Sequence, residues 1–290
     1  MARLFRAFLF KLKRDMTFRI TLFIGIGMAI FMSLLYVILE KVVFDPESDI
    51  KLISGESMLI QSLSPVQNFG IAIPVNLISF TVLEFTHGTI RNKIIAGNSK
   101  FKIYASLYLS GLVFTISLIT VYALLCLGLG SLFGGYRPID GSSAGLFGMA
   151  RVGEGYTLRL IISALFAYIS ITSFAILIAT LTRQIGGSIP IVILVLLFAY
   201  LAANILSSLA FAGEDQESKY NTAIWILRII DPLYASASQE LVRAQEGESG
   251  VIAYQIIKDE TFICGIINNV VYTVLFFALG AFIFKKRDVK

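Results

Sequence analysis

The chain has 290 residues, of which 57% are hydrophobic and only 15% charged, and its mean hydropathy is positive. A soluble chain of this length carries about a quarter of its residues as charged surface, so this much apolar side chain cannot hide inside one globule and must face lipid. The net charge of +5 would suit nucleic acid if it formed one patch, but its distribution along the chain follows a membrane instead.

The opening stretch, MARLFRAFLFKLKRDMTFR, lacks the layout of a cleavable signal. Arg6, Lys11, Lys13 and Arg14 interrupt its apolar part, and no small-residue cleavage site follows. Leu4, Phe5, Phe8, Leu9 and Leu12 recur at helical spacing on one face, with the cations mostly around the rest. Residues 1–16 are therefore expected to form an amphipathic interfacial helix, apolar face in the acyl boundary and cations near anionic headgroups.

A membrane-spanning helix needs about 20 mostly apolar residues. Six stretches qualify or nearly so: residues 18–39, 66–83, 103–133, 158–181, 189–212 and 261–284. The second is the weakest, interrupted by Asn68, Pro74 and Asn76. The third exceeds one perpendicular crossing, which calls for tilt or an extension beyond the bilayer. With both ends in the cytoplasm, the inner segments carry fifteen of the 24 basic residues but only Asp15, Glu84 and Asp288 of the 19 acidic ones. That asymmetry is the positive-inside pattern, and it supports an even number of spans. The expected fold is all-α, a single transmembrane domain over residues 1–290 with six transmembrane helices.

Three connections fall outside: an acidic loop over 40–65, a Gly/Ser-rich loop over 134–157, and the long extracellular segment 213–260. In the last, 220–230 is amphipathic and aromatic, Asp231-Pro232 breaks it, and 236–246 has the pattern of a polar helix.

Little in the chain suits catalysis. There is no HExxH and no Cys/His cluster, and His87 is the only histidine. Cys126 and Cys264 sit in apolar runs without partners at metal-ligand spacing, as packing residues do. Neither a catalytic site nor a metal site is expected. The spans also lack the midplane charges of ion-driven transporters. Their polar residues are mild (Asn76, Ser79, Thr115, Ser117, Thr120, Ser170, Thr172, Ser173, Asn204, Asn268 and Asn269), as helix–helix contacts require. Aromatics such as Phe80, Phe114, Tyr122, Tyr168, Phe174 and Phe198 suit either a pathway for apolar cargo or packing against lipid and neighbouring helices. No GxxxxGK[ST] loop is present, so the chain holds no nucleotide by that route.

The most informative segment is Glu84-Phe-Thr-His-Gly-Thr-Ile-Arg-Asn-Lys-Ile-Ile-Ala-Gly-Asn-Ser-Lys100. Thr89 is placed to cap a short helix, Ile90, Ile94 and Ile95 to form its face, and Gly97 to close it. Arg91, Lys93 and Lys100 are expected to look into the cytoplasm, where such a helix can dock a partner. The alternative is a tight basic loop between spans.

This segment, following an acidic span end and preceding a Tyr-containing span, resembles the permeases of type-2 ABC exporters. The matching residues are Glu84, Gly88, Thr89, Arg91, Gly97, Ser99 and Lys100. The six spans, the N-terminal amphipathic helix, the long outer segment before the last span and the basic tail agree with the same family. The resemblance implies that 84–100, Lys93 included, is a short cytoplasmic coupling helix region contacting a separate ABC ATPase subunit. It implies no cofactor in this chain, with ATP and Mg on the partner, and a pathway formed by two permease chains, here a homodimer. It further implies export of a peptide, lipid or drug-like amphiphile across a bacterial cytoplasmic membrane, multidrug or peptide resistance among the outcomes. A rival class is a non-transporting membrane scaffold that docks a cytoplasmic partner. The sequence names neither the substrate nor the pathway-lining residues.

Overall fold

The structure, a computed structural model, describes residues 2–43, 55–63, 70–135, 156–211, 242–246, 252–256 and 259–287. In chain order its helices are α1 (Ala2–Arg14), α2 (Met16–Val43), α3 (Gly55–Leu63), α4 (Ala72–Thr86), α5 (Thr89–Ile95), α6 (Lys100–Gly134), α7 (Tyr156–Thr182) and α8 (Ile185–Phe211). A hairpin of β1 (Val242–Glu246) and β2 (Ile252–Ile256) follows, and α9 (Asp259–Lys286) ends the described chain.

Four helical stretches are long and apolar enough to cross a membrane: Met16–Ile38, Lys100–Gly134, Ile161–Thr182 and Gly265–Lys286. Two more, Ala72–Thr86 and Ile185–Ala199, are apolar but shorter. Helix α4 covers about 22 Å at 1.5 Å per residue, against a hydrocarbon core of about 30 Å. Its start also corrects the sequence boundary: the helix begins at Ala72, and 66–69 lie outside the described residues. Pro74 is tolerated because it occupies the first turn, where its missing N–H has no intrahelical acceptor. The Asn76 amide is absorbed by donating to the Ala72 carbonyl at 2.8 Å.

Helix α7 is the axis of the bundle. Of its apolar stretch 67% is buried, against 22% for α2 and 17% for α9, which therefore present most of their surface outward. Its sequence explains the position: Ala164, Ala167, Ser170, Thr172, Ser173, Ala175 and Ala179 are all buried small residues that let neighbouring helices come close. Two hydroxyl pairs tie it to α6, Tyr108 Oη with Ser173 Oγ at 2.9 Å and Thr115 Oγ1 with Thr172 Oγ1 at 2.8 Å. Ser79 and Ser117 instead donate to carbonyls of their own helices. The aromatics divide likewise: Phe80, Phe114, Tyr122, Tyr168 and Phe174 are buried, whereas Phe198 is exposed.

Three expectations are corrected. Residues 55–63, assigned from sequence to an outer loop, form α3, whose Met58, Leu59 and Leu63 are buried against α6 and α7. The Gly55 N–H donates to the Gly135 carbonyl at 3.2 Å, which anchors α3 beside the far end of α6. Residues 242–246, expected within a polar helix, are a strand paired antiparallel from Val242↔Ile256 to Glu246↔Ile252. The pairing is favoured by Ile252, Tyr254 and Ile256 on the partner strand, since β-branched and aromatic residues fit a pleated surface; 220–230 and 236–241 lie outside the described residues.

The third correction concerns α1. Much of its apolar face is turned to protein: Leu4, Phe8 and Leu12 are buried, with α6 as its main neighbour, while Phe5 and Leu9 stay partly exposed. Asp15 ends α1 and starts α2, its Oδ1 accepting from the Thr17 N–H at 2.8 Å, as an N-cap does. That one-residue joint folds α1 back onto the bundle.

Candidate functional site

The end of the bundle where α1 meets α4 and α9 finishes is where the sequence placed its candidate residues. Helix α4 runs toward this end as an apolar helix and finishes at Thr86, with His87 closing it and its side chain exposed. Gly88 then adopts φ +64°, a left-handed conformation that costs other residues strain. The chain turns there and starts α5. At the far end Gly97, at φ +83°, receives the last turn: its N–H donates to the Ile94 carbonyl at 2.9 Å, and the Asn98 side chain donates to the Lys93 carbonyl at 3.0 Å. Ser99 N-caps α6, its Oγ accepting from the Lys102 N–H at 3.4 Å. Gly97 holds the position the sequence assigns to the end of the short helix, and Gly88 the one assigned to Thr89.

Glu84 is the hub. Its side chain is fully buried, and two ammonium groups reach it, Lys11 Nζ at 2.5 Å from Oε1 and Lys93 Nζ at 3.0 Å from Oε2. The Thr89 hydroxyl lies 2.7 Å from both the Glu84 carbonyl oxygen and Oε2, and donates to Glu84. One carboxylate thus joins α1, α4 and α5. Lys93 Nζ also sits 3.2 Å from the centroid of the Phe8 ring, over its electron-rich face. Burial pushes the Lys93 pKa down and Lys11 nearby adds to that, while Glu84 works against both.

Several predicted roles change. Thr89 does not cap α5; Gly88 occupies that position and the Thr89 hydroxyl braces Glu84. Ile90 is fully buried and Ile94 half-buried, but Ile95 points away, 74% exposed. Seven residues make barely two turns, so Ile90 and Ile94 share a face while Ile95 falls about 100° further round. Lys93 faces inward to Glu84 rather than outward, and Lys100 Nζ donates to the carbonyls of Lys285 and Arg287 at 3.2 and 3.1 Å, capping the end of α9. Arg91 is exposed, as expected. The outward surface of the turn is therefore His87, Arg91, Asn92, Ile95, Ala96 and Ser99.

Sequence reasoning missed Lys11 and Phe8 as partners of this site. A signal existed: Glu84 is a lone acid at the end of an apolar run, and such a group is seldom buried unpaired. Many cations were available, and nothing in one sequence selects Lys11 among them. Among the described residues no three His, Cys, Asp or Glu side chains come together to hold a metal ion. No protein-family model, no curated protein and no solved structure matches the chain.

Proposed function

We propose that this chain is the transmembrane permease subunit of an ATP-driven exporter of the type-2 ABC class. The observation that supports it most is the Glu84–Lys100 turn, an internally braced elbow bearing an exposed arginine and an exposed isoleucine. In this reading the chain has six spans, both ends lie in the cytoplasm of a bacterial cell, and residues 213–260 are extracellular. The chain is not catalytic by itself; ATP and Mg are bound and hydrolysed on a separate subunit that docks on α5. Two copies enclose the pathway, and the cargo is a peptide, lipid or drug-like amphiphile.

The mechanics follow from the bracing. A load applied at Ile95 or Arg91 reaches α4 and α1 together, because Glu84 binds Thr89 and Lys93 from α5 and Lys11 from α1. Nucleotide then acts through its different affinity for two arrangements of the bundle. Helix α4 moves with the elbow as one body, and α6 follows through the short link of residues 96–99.

The test is purification of the tagged chain in mild detergent with identification of what accompanies it. A stoichiometric ATPase is expected, and Arg91→Glu or Ile95→Asp is expected to reduce its retention by roughly 30-fold or more, the effect of losing one strong interface residue. Both side chains are exposed, so the unfolding temperature of each variant stays at the wild-type value. Gly88→Pro is expected to reduce retention as well, because proline cannot adopt φ +64°. An ATPase retained equally by all three variants would remove α5 from the interface. Binding without nucleotide-dependent transport would instead favour the scaffold.

A further inference from the structure

Helix α1 turns one face to the protein and a very different one away from it. At about 100° per residue, Leu4, Phe8 and Leu12 share the buried face. Arg3, Arg6, Phe10, Lys13 and Arg14 fall on the opposite face, and all five are exposed. Phe5 and Leu9 lie between the two.

The outward face carries four cations and no acid. Among the described residues the only ion pairs are those of Glu84 with Lys11 and Lys93, so none of the four has a carboxylate partner there. Asp15, the nearest acid in sequence, N-caps α2. Phe10, 59% exposed, sits in the middle of the row, with the Arg14 guanidinium 4.2 Å from its ring centroid. Like charges gathered on one face of a 13-residue helix repel one another and favour a negative surface opposite them.

What lies opposite follows from α2. Asp15 alone separates the two helices, and α2 is exposed from its first residues: Met16, Ile20 and Phe23 form an apolar face. Arg19 stands at the edge of that face, four residues before Phe23, and its Nε donates to the Lys13 carbonyl at 3.4 Å. This hydrogen bond joins the end of the cation row to the start of the apolar stripe. Where a spanning helix begins its exposed apolar stripe, acyl chains give way to headgroups, and aromatic rings such as Phe10 favour the same level. The arrangement reverses the usual interfacial helix, whose apolar face enters the bilayer.

We propose that α1 is a strap held from two sides: Arg3, Arg6, Lys13 and Arg14 bind the anionic phospholipid headgroups around the protein, and this binding keeps α1 docked with Lys11 on Glu84. Membrane surface charge thereby acts on the joint of α4 and α5. An acidic protein would match the cations but not the apolar stripe that adjoins them at Arg19. The strap requires only that α2 spans a membrane; it does not depend on the exporter reading.

The test places the full chain in nanodiscs of phosphatidylcholine, alone or mixed with phosphatidylglycerol, and follows backbone hydrogen exchange in peptides covering α1 and α7. Phosphatidylglycerol is expected to slow exchange across α1 by about fivefold or more, what a single cation supplies at an anionic surface, and to leave α7 unchanged. Replacing the four cations together (Arg3→Gln, Arg6→Gln, Lys13→Gln and Arg14→Gln) should abolish that difference. In phosphatidylcholine alone the variant is expected to exchange as wild type does, which separates lost lipid binding from lost docking. Wild type gives a second reading: sodium chloride at about 1 M, where the screening length is about 3 Å, should cancel most of the effect. Equal exchange of α1 with and without phosphatidylglycerol overturns the proposal and leaves the face to an acidic protein. A slowing that survives the substitutions or the salt overturns it as well.

Discussion

Glu84→Ala is expected to destabilise the chain by about 3–5 kcal/mol, the range found when one partner of a buried ion pair is removed. The wild-type carboxylate is fully buried with ammonium groups at 2.5 and 3.0 Å. Without it, Lys93 stays partly buried against Phe8 with only the ring to face its charge, and Lys11 loses its anchor. Helix α1 then keeps the contacts of Leu4, Phe8 and Leu12 but not the ionic tie that registers it against α4 and α5. Lys11→Ala removes the other end of the same pair, yet its side chain is 40% exposed. A solvated cation contributes less, and a loss of about 1 kcal/mol is expected there. Denaturation of each variant in detergent gives the ordering, and brief trypsin digestion reports on α1 directly. Cleavage after Lys11, Lys13 or Arg14 speeds up in Glu84→Ala if α1 has come away. Equal stability of wild type and Glu84→Ala would mean that the hub contributes nothing and that apolar packing alone holds α1.

How much of this was legible in the sequence depends on what each feature requires. The apolar helices were, because length and hydropathy decide them, and the observed α2, α6, α7, α8 and α9 each cover their expected stretch within a few residues. Gly97 was legible as a boundary because few other residues adopt its backbone conformation at low cost, whereas the N-cap of α5 was assigned to Thr89 and falls one residue earlier, at Gly88. The amphipathic pattern of α1 was legible too, but not what its apolar face touches: lipid and protein accept the same stripe of Leu and Phe. Helix α3 was hidden for a different reason. GESMLIQSL is short and carries an acid and a glutamine, so local pattern gives it little weight. It is held by contacts with α6 and α7, residues far away in sequence.

The candidate site divides the same way. Arg91 was placed correctly because it sits on the polar face of a very short helix. Lys93 and Lys100 were not, because a cation's direction depends on where the nearest acceptor lies, and those acceptors are Glu84 and the end of α9. Lys100 and Lys285 stand 185 positions apart in the chain, a separation no local reading spans. The correction sharpens the picture of the turn. Lys93 and Thr89 belong to the brace and Lys100 to the α6–α9 joint, which leaves Arg91 and Ile95 facing outward.

Gly280→Ala is expected to destabilise the bundle by about 1–3 kcal/mol, although alanine is the better helix former by about 1 kcal/mol. The opposing signs make the result diagnostic. A Cβ at Gly280 would run into the Tyr104 hydroxyl and come within 2.8 Å of its Cζ. The ring cannot swing away, since Tyr104 is fully buried with Phe277 and Phe284 at centroid distances of 5.4 and 5.8 Å. Gly111→Ala provides the contrast: there the nearest atom is Ile176 Cδ1 at 2.9 Å, the flexible tip of a side chain, so the expected loss is smaller. Tyr104 Oη has no hydrogen-bond partner among the described residues, so Tyr104→Phe removes a buried polar group that costs about 1–3 kcal/mol when unsatisfied. That variant is expected to be at least as stable as wild type. Combined with Gly280→Ala it should recover most of the loss, because the atom nearest the new methyl is the one deleted. Thermal unfolding of the four variants in one detergent measures all of this. If Gly280→Ala is stabilising, or Tyr104→Phe fails to rescue it, then helix propensity rather than the α6–α9 contact governs the position.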